Sequence, residues 1–165
     1  MSDTTTRKHT GGCQCGAVRY ALTEEPSDTG ICHCRMCQKA SGGPFMAFTG
    51  VPRDALIWTR GKPAVFRSSA VSERGYCADC GTPLTYDFLE GDRITFQLYT
   101  LDDPSSVSQP DRQIGTESRA AWLDGINEFP GKTIAEDSGE DFVRACVNFQ
   151  HPDHDTPDDW APPKA

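Results

Sequence analysis

The sequence predicts a mainly β domain with a few short helices, on three observations. Apolar residues recur in brief runs, several of them alternating with polar neighbours, the two-residue period of a strand resting on a core. Fifteen glycines and twelve prolines interrupt those runs, so turns are frequent and long helices are disfavoured. Seven of the eight cysteines fall into three tight groups, Cys13-x-Cys15, Cys32-x-Cys34-x-x-Cys37 and Cys77-x-x-Cys80, each reading as a knuckle.

Taken in order, residues 1 to 10 are polar and read as a flexible lead-in. Gly11-Gly12-Cys13-Gln14-Cys15-Gly16 is the first knuckle. Val18, Tyr20 and Leu22 face one way and Arg19 the other, which predicts a half-buried strand over Ala17 to Leu22. Glu24 to Gly30 reads as a loop. Cys32 to Cys37 is the second knuckle, and Arg35 to Ser41 fits one short helix stopped by Gly42-Gly43-Pro44. Phe45 to Thr49, Ala55 to Thr59 and Ala64 to Arg67 are strand-like, separated by Gly50-Val51-Pro52 and Gly61-Lys62-Pro63 as turns. After the third knuckle, Leu84 to Phe88 and Arg93 to Tyr99 form a hairpin across Glu90-Gly91-Asp92. Ser118 to Leu123 fits a short helix, and Phe142, Cys146 and Phe149 are spaced as on one helix face.

The chain has 165 residues, enough for one domain. Its apolar share of 36% is low for a globular domain, so a further source of stability is expected. Of a net charge of -8, the stretch 135–165 holds eight acidic and two basic residues. That end reads as a solvated acidic extension, residues 132–165, with room for a short helix. No basic patch stands out, which speaks against a nucleic-acid partner and against a nucleic-acid-binding zinc ribbon. The N-terminus lacks the apolar segment of a secretory leader, and no run is long enough to span a bilayer. Cytoplasmic placement is therefore expected, and in a reducing compartment clustered cysteines read as metal ligands rather than disulfides.

Zinc takes four ligands in a tetrahedron and favours thiolates. Seven thiolates divide into one closed site of four and one set of three. Cys32, Cys34 and Cys37 are the natural triad, being within six residues. The pairs Cys13/Cys15 and Cys77/Cys80 then close the other site and tie together segments about sixty residues apart, which couples metal binding to folding. A closed site is structural, whereas a three-ligand site keeps one position open. Three thiolates make zinc a weak Lewis acid, suited to holding a further thiolate, so a thiol is the expected substrate. The alternative is a second structural zinc, with His33 or a distant residue as fourth ligand. Cys146, alone on an apolar helix face, reads as core. His9, His151 and His154 lie in polar ends and read as bystanders.

The run Gly11-Gly12-Cys13-Gln14-Cys15-Gly16-Ala17-Val18-Arg19-Tyr20 resembles the opening of the glutathione-dependent formaldehyde-activating enzymes and centromere protein V. Cys32-His33-Cys34-Arg35-Met36-Cys37-Gln38-Lys39, with Phe45 beyond it, resembles that family's second cluster. Arg74-Gly75-Tyr76-Cys77-Ala78-Asp79-Cys80-Gly81-Thr82-Pro83-Leu84 resembles its third. Leu101-Asp102-Asp103-Pro104 and the stretch from Trp122 to Phe129-Pro130-Gly131 are similar to its later landmarks. The resemblance spans residues 11–131, which is the zinc-binding domain on this reading. It implies an Mss4-like fold of small sheets arranged as a tent, and two zincs per chain. Cys13, Cys15, Cys77 and Cys80 match the structural zinc and Cys32, Cys34 and Cys37 the catalytic one. Many members carry a histidine where this chain has Gln113.

The function expected from residues and resemblance together is a zinc-dependent carbon–sulfur lyase. It would act on a thiol–aldehyde adduct in the manner of an S-(hydroxymethyl)glutathione synthase, with glutathione as the thiol partner. Arg35, Lys39, Arg60, Arg67 and Arg74 are the basic residues available to glutathione's carboxylates. The alternative is a non-catalytic protein-interaction module with two structural zincs.

Overall fold

The protein is described here by a computed structural model covering residues 6–162. Among the described residues ten strands form two sheets, with three short α-helices. The strands are β1 (His9–Gly12), β2 (Arg19–Leu22), β3 (Ser27–Cys32), β4 (Met46–Pro52) and β5 (Leu56–Arg60), followed by β6 (Ala64–Arg67), β7 (Ser72–Tyr76), β8 (Pro83–Phe88), β9 (Arg93–Gln97) and β10 (Gln113–Ile114). The helices are α1 (Arg35–Ser41), α2 (Ile134–Ser138) and α3 (Glu140–Ala145). The smaller sheet runs β1-β2-β5, and the larger runs β10-β3-β4-β9-β8-β7-β6. Every pairing is antiparallel except that of β10 with β3.

The main core lies where Tyr20 and Leu22 of β2 meet Val51 of β4, Phe96 of β9, and Leu98 and Leu101 beyond it. Tyr20 is fully buried, its ring edge-on to Trp58 at 6.0 Å and tilted against Phe96 at 5.5 Å. Burying side chains of this size stabilises by roughly 1.5–3 kcal/mol each. Two smaller clusters flank this core. Cys13 and Cys77 pack with Val18 and Leu84, and Cys32 and Cys37 pack with Met46.

Several expectations need correction. The lead-in is partly structured, since His9 and Thr10 open β1, paired with Leu22 and Ala21; residues 1–5 lie outside the described part. The loop over Glu24 to Gly30 is in its second half strand β3. The turn at Gly50-Val51-Pro52 is instead the end of β4, opposite Thr95, Ile94 and Arg93. Strand β7 was not signalled, because Ser72-Glu73-Arg74-Gly75 has no apolar alternation; it is held by a neighbour on each side, β6 and β8. Arg19 does not face solvent. It is buried against Asp102, with which it makes paired hydrogen bonds of 2.8 and 2.5 Å.

Toward the C-terminus, the segment around Ser118 to Leu123 forms 3-10 turns, Thr116–Ser118 and Ala121–Glu128, rather than an α-helix. Helix α3 ends at Ala145, and Cys146 is exposed, not core. The acidic end is not wholly a solvated tail. The His151 amide donates to the Gln14 carbonyl at 2.8 Å, and Arg60 donates to the carbonyls of Thr156 and Pro157 at 3.0 and 2.7 Å. Asp155 pairs with Arg7 at 3.1 Å and with Arg19 at 3.2 Å. His151 is thereby buried, its ring edge-on to Trp160, and is no bystander. His9 is engaged as well, with Glu25 2.9 Å from its Nε2.

Candidate functional site

Each cysteine group is aimed by the strand ends around it. Cys13 follows β1 and Cys77 follows β7. The Cys13 amide bonds to the Val18 carbonyl, and the Cys77 amide to the Thr82 carbonyl, both at 2.9 Å. Gly81, at φ 77°, turns the chain directly after Cys80, a conformation that side chains with a Cβ rarely take. The four sulfurs of Cys13, Cys15, Cys77 and Cys80 lie within 4.8 Å of one another. The Cys13 and Cys15 sulfurs are 3.6 Å apart, and those of Cys15 and Cys77 3.8 Å. Four thiolates at the 2.3 Å zinc–sulfur distance require sulfurs about 3.8 Å apart, far longer than a disulfide, so this donor set fits zinc.

The triad forms on different scaffolding. Cys32 ends β3, Cys34 caps the N-terminus of α1, and Cys37 lies one turn into that helix. The Cys37 amide donates to Cys34 Sγ at 3.4 Å. These three sulfurs also lie within 4.8 Å of one another, and no other Cys, His, Asp or Glu among the described residues joins them. His33 points away, as alternation along an extended segment requires. It is buried, with Nε2 2.8 Å from Gln113 Oε1 and its ring against Phe45. The sequence alternative in which His33 completes the triad's coordination therefore fails. Gly115, at φ 67°, lets β10 run close to the triad: a Cβ there would stand 2.7 Å from the Cys34 nitrogen.

Charge is unevenly distributed within each group. Burial pushes the Cys32 thiol up to about 12. At Cys34 burial acts in the same sense, but the Cys37 amide, the neighbouring thiols and the Met36 amide hold it below its ordinary value. In the four-sulfur group burial raises Cys15 to about 12. Burial also opposes ionisation of Cys80, yet hydrogen bonds from Thr82 lead a set that brings it down to about 6. One sulfur in each group is thus favoured as the anion, the form that binds metal.

A cavity of about 340 Å³ opens on the triad, walled by Met36, Met46, Phe48, Tyr86 and Ile114. Arg74 is its one charged lining residue among those described. Of the basic residues put forward from sequence, Arg60 is taken by carbonyls, Arg67 by Glu73, and Arg35 by Gln38. Lys39 borders a neighbouring recess. Arg74 was thus one of five equal candidates in the sequence, and only the pairing of β7 with β8 sets it apart. Thr95 and Gln97, polar and cavity-lining, carried no sequence signal. The four-sulfur group borders more polar clefts, one of which also contains exposed Cys146.

Known proteins resemble this chain in sequence and in fold. The family model described as "Glutathione-dependent formaldehyde-activating enzyme" matches residues 8–118. An uncharacterized lyase of Schizosaccharomyces pombe is 32% identical over 85 residues, 51% of this chain and 61% of that protein. A Podospora anserina protein, provisionally named for the same family, is 36% identical over 74 residues, 44% of this chain and 35% of its own length. This chain therefore spans less than two thirds of either relative. A crystal structure of a Rhodobacter sphaeroides protein shares the fold, with a TM-score of 0.51 at 17% identity over 61% of this chain and 96% of that one.

Proposed function

The chain belongs to the glutathione-dependent formaldehyde-activating enzyme family, and from that premise we propose that it is a zinc-dependent enzyme of carbon–sulfur lyase type. Its reaction would join a thiol to a small aldehyde, or release the aldehyde from the adduct, with glutathione and formaldehyde as the reactants. The observation that carries this reading is the cavity over Cys32, Cys34 and Cys37, whose walls leave the three sulfurs accessible from one side. An interaction module with two closed metal sites has no use for such an opening.

On this reading Cys32, Cys34 and Cys37 hold one zinc, and Cys13, Cys15, Cys77 and Cys80 hold a second that is structural. A zinc on the triad supplies a free coordination position that keeps a substrate thiol deprotonated yet nucleophilic. The chain's own groups do the rest. The largely apolar walls limit water at the sulfurs, which strengthens electrostatic contacts there and keeps thiol and aldehyde in proximity. Strand β10, tied down by the His33–Gln113 contact, fixes one side of the cavity.

The test is exchange spectroscopy with carbon-13 formaldehyde and glutathione, with zinc per chain measured on the same sample. Two zincs and an exchange rate above the uncatalysed one support the proposal. A fully zinc-loaded protein that leaves the exchange rate unchanged for glutathione and for small thiols refutes it.

A further inference from the structure

Arg74 is buried, and a buried cation is costly unless something compensates it. The other described arginines each reach an oxygen acceptor, such as Asp102 for Arg19 or Asp87 for Arg53. Arg74 reaches none among the described residues. Its Nη2 donates to Cys37 Sγ at 3.4 Å and its Nη1 to Met46 Sδ at 3.7 Å, and its guanidinium lies 5.0 Å from the centre of the Tyr86 ring. A thioether is a weak acceptor and a ring face holds only part of a charge. Among the described residues this guanidinium hydrogen-bonds to sulfur alone, with one end against a triad member and no oxygen acceptor. The position is set by register: Arg74 stands opposite Tyr86 on β8 and Phe66 on β6.

Thiol addition to an aldehyde creates negative charge at one atom. The thiolate sulfur bonds to the carbonyl carbon, the π pair moves to oxygen, and that oxygen becomes an alkoxide one carbon away from the sulfur. Water at the cavity's open side then gives it a proton, leaving hydroxide, which the proton lost earlier from the thiol neutralises. No other charged side chain among those described lines the cavity. We propose that Arg74 is a catalytic residue that donates hydrogen bonds to this alkoxide, and to the same oxygen when the adduct breaks down. The proposal rests on the thiol–aldehyde reading above. A planar fork in a low-dielectric, apolar-walled site is suited to that task, since donors already in place need no reorganisation when charge develops.

The test compares zinc-loaded wild type with Arg74→Met and Arg74→Lys. Three quantities are measured: exchange rate, glutathione affinity by calorimetry, and zinc content. Exchange is followed with glutathione and with 2-mercaptoethanol, which has no carboxylate. Removing one such donor is expected to cost about a hundredfold in rate with both thiols, while glutathione affinity stays within about threefold. Added guanidinium ion should restore part of the rate to Arg74→Met. Undiminished exchange in Arg74→Met overturns the proposal. So does a loss confined to glutathione with weakened binding, which would make Arg74 a carboxylate anchor. Should Arg74→Met lose zinc or fail to fold, Arg74→Lys decides. At unchanged affinity, a drop of about tenfold or more supports the fork's role, and full activity overturns it. A zinc-loaded wild type without exchange activity overturns the function itself, and this assignment with it.

Discussion

His33 Nε2 and Gln113 Oε1 lie 2.8 Å apart, joining the strand that ends at Cys32 to the short parallel strand β10. The backbone repeats the link, since the His33 amide donates to the Ile114 carbonyl at 2.9 Å. Replacing Gln113 by Leu leaves a buried imidazole nitrogen unsatisfied, which should cost about 1–3 kcal/mol. Urea unfolding measures the loss. Faster hydrogen exchange at the His33 amide should accompany it, and an unaltered rate there would argue against the link.

The two sulfur groups should respond differently to loss of one member. Cys77 is buried and its group joins two distant parts of the chain, so Cys77→Ser should lose zinc and unfold or aggregate. Cys34 is half-buried at the start of α1, and Cys34→Ser should keep the fold while abolishing thiol binding. Thermal denaturation beside calorimetry with glutathione distinguishes the two, and equal losses of thermal stability would contradict the division of roles.

Acid should weaken the fold through Asp102. Burial works against this carboxylate, but hydrogen bonds from Arg19 and Thr10 hold it below its ordinary 3.8. The folded state thus binds this proton less readily than the unfolded chain. The contribution is complete above about pH 3.8 and is lost as the pH falls through the folded value. Asp102→Asn leaves Arg19 buried without its main counter-charge and should cost on the order of 3 kcal/mol at neutral pH. In urea titrations the gap between wild type and Asp102→Asn should close as the pH is lowered.

Docking of the C-terminal segment should also depend on pH. Burial, and then the charge of Arg19, lower His151 from its ordinary 6.5. The docked ring is therefore held neutral, so its contribution is present above that value and fades as the pH falls through the folded one. The protection of the His151 amide, bonded to the Gln14 carbonyl, relative to its intrinsic exchange rate should fall on mild acidification. His151→Gln should flatten that dependence.

The two sulfur groups were legible in the sequence because cysteines able to share a metal keep short local spacings that can be read without any knowledge of the fold. Strands such as β6 and β8 were legible for a similar reason, having apolar runs bounded by turns. Strands β1 and β7 were not, since Gly11-Gly12 and Ser72-Glu73-Arg74-Gly75 gain their conformation from partners rather than from their own side chains. Gly75 shows why bulk is absent there: a Cβ would meet Thr85 Oγ1 at 2.4 Å. The acidic end misled for the opposite reason. Its composition is that of a solvated segment, and only the tertiary placement of Arg7, Arg19 and Arg60 gives Asp155 and the Thr156 carbonyl something to hold.

Arg74, in the middle of β7, and Cys77, just past its end, belong to one short piece of chain three residues apart, so the strand works as a beam with an anchored foot and a working span. The foot is set in the four-sulfur group and the Arg74 side chain from the span lies against Cys37. On the proposed reading, an ion that never meets the substrate would govern the aim of a side chain that does. A preparation losing that ion would lose the aim of Arg74 together with the fold around it, so turnover and thermal stability should fall in step as metal leaves the four-sulfur group.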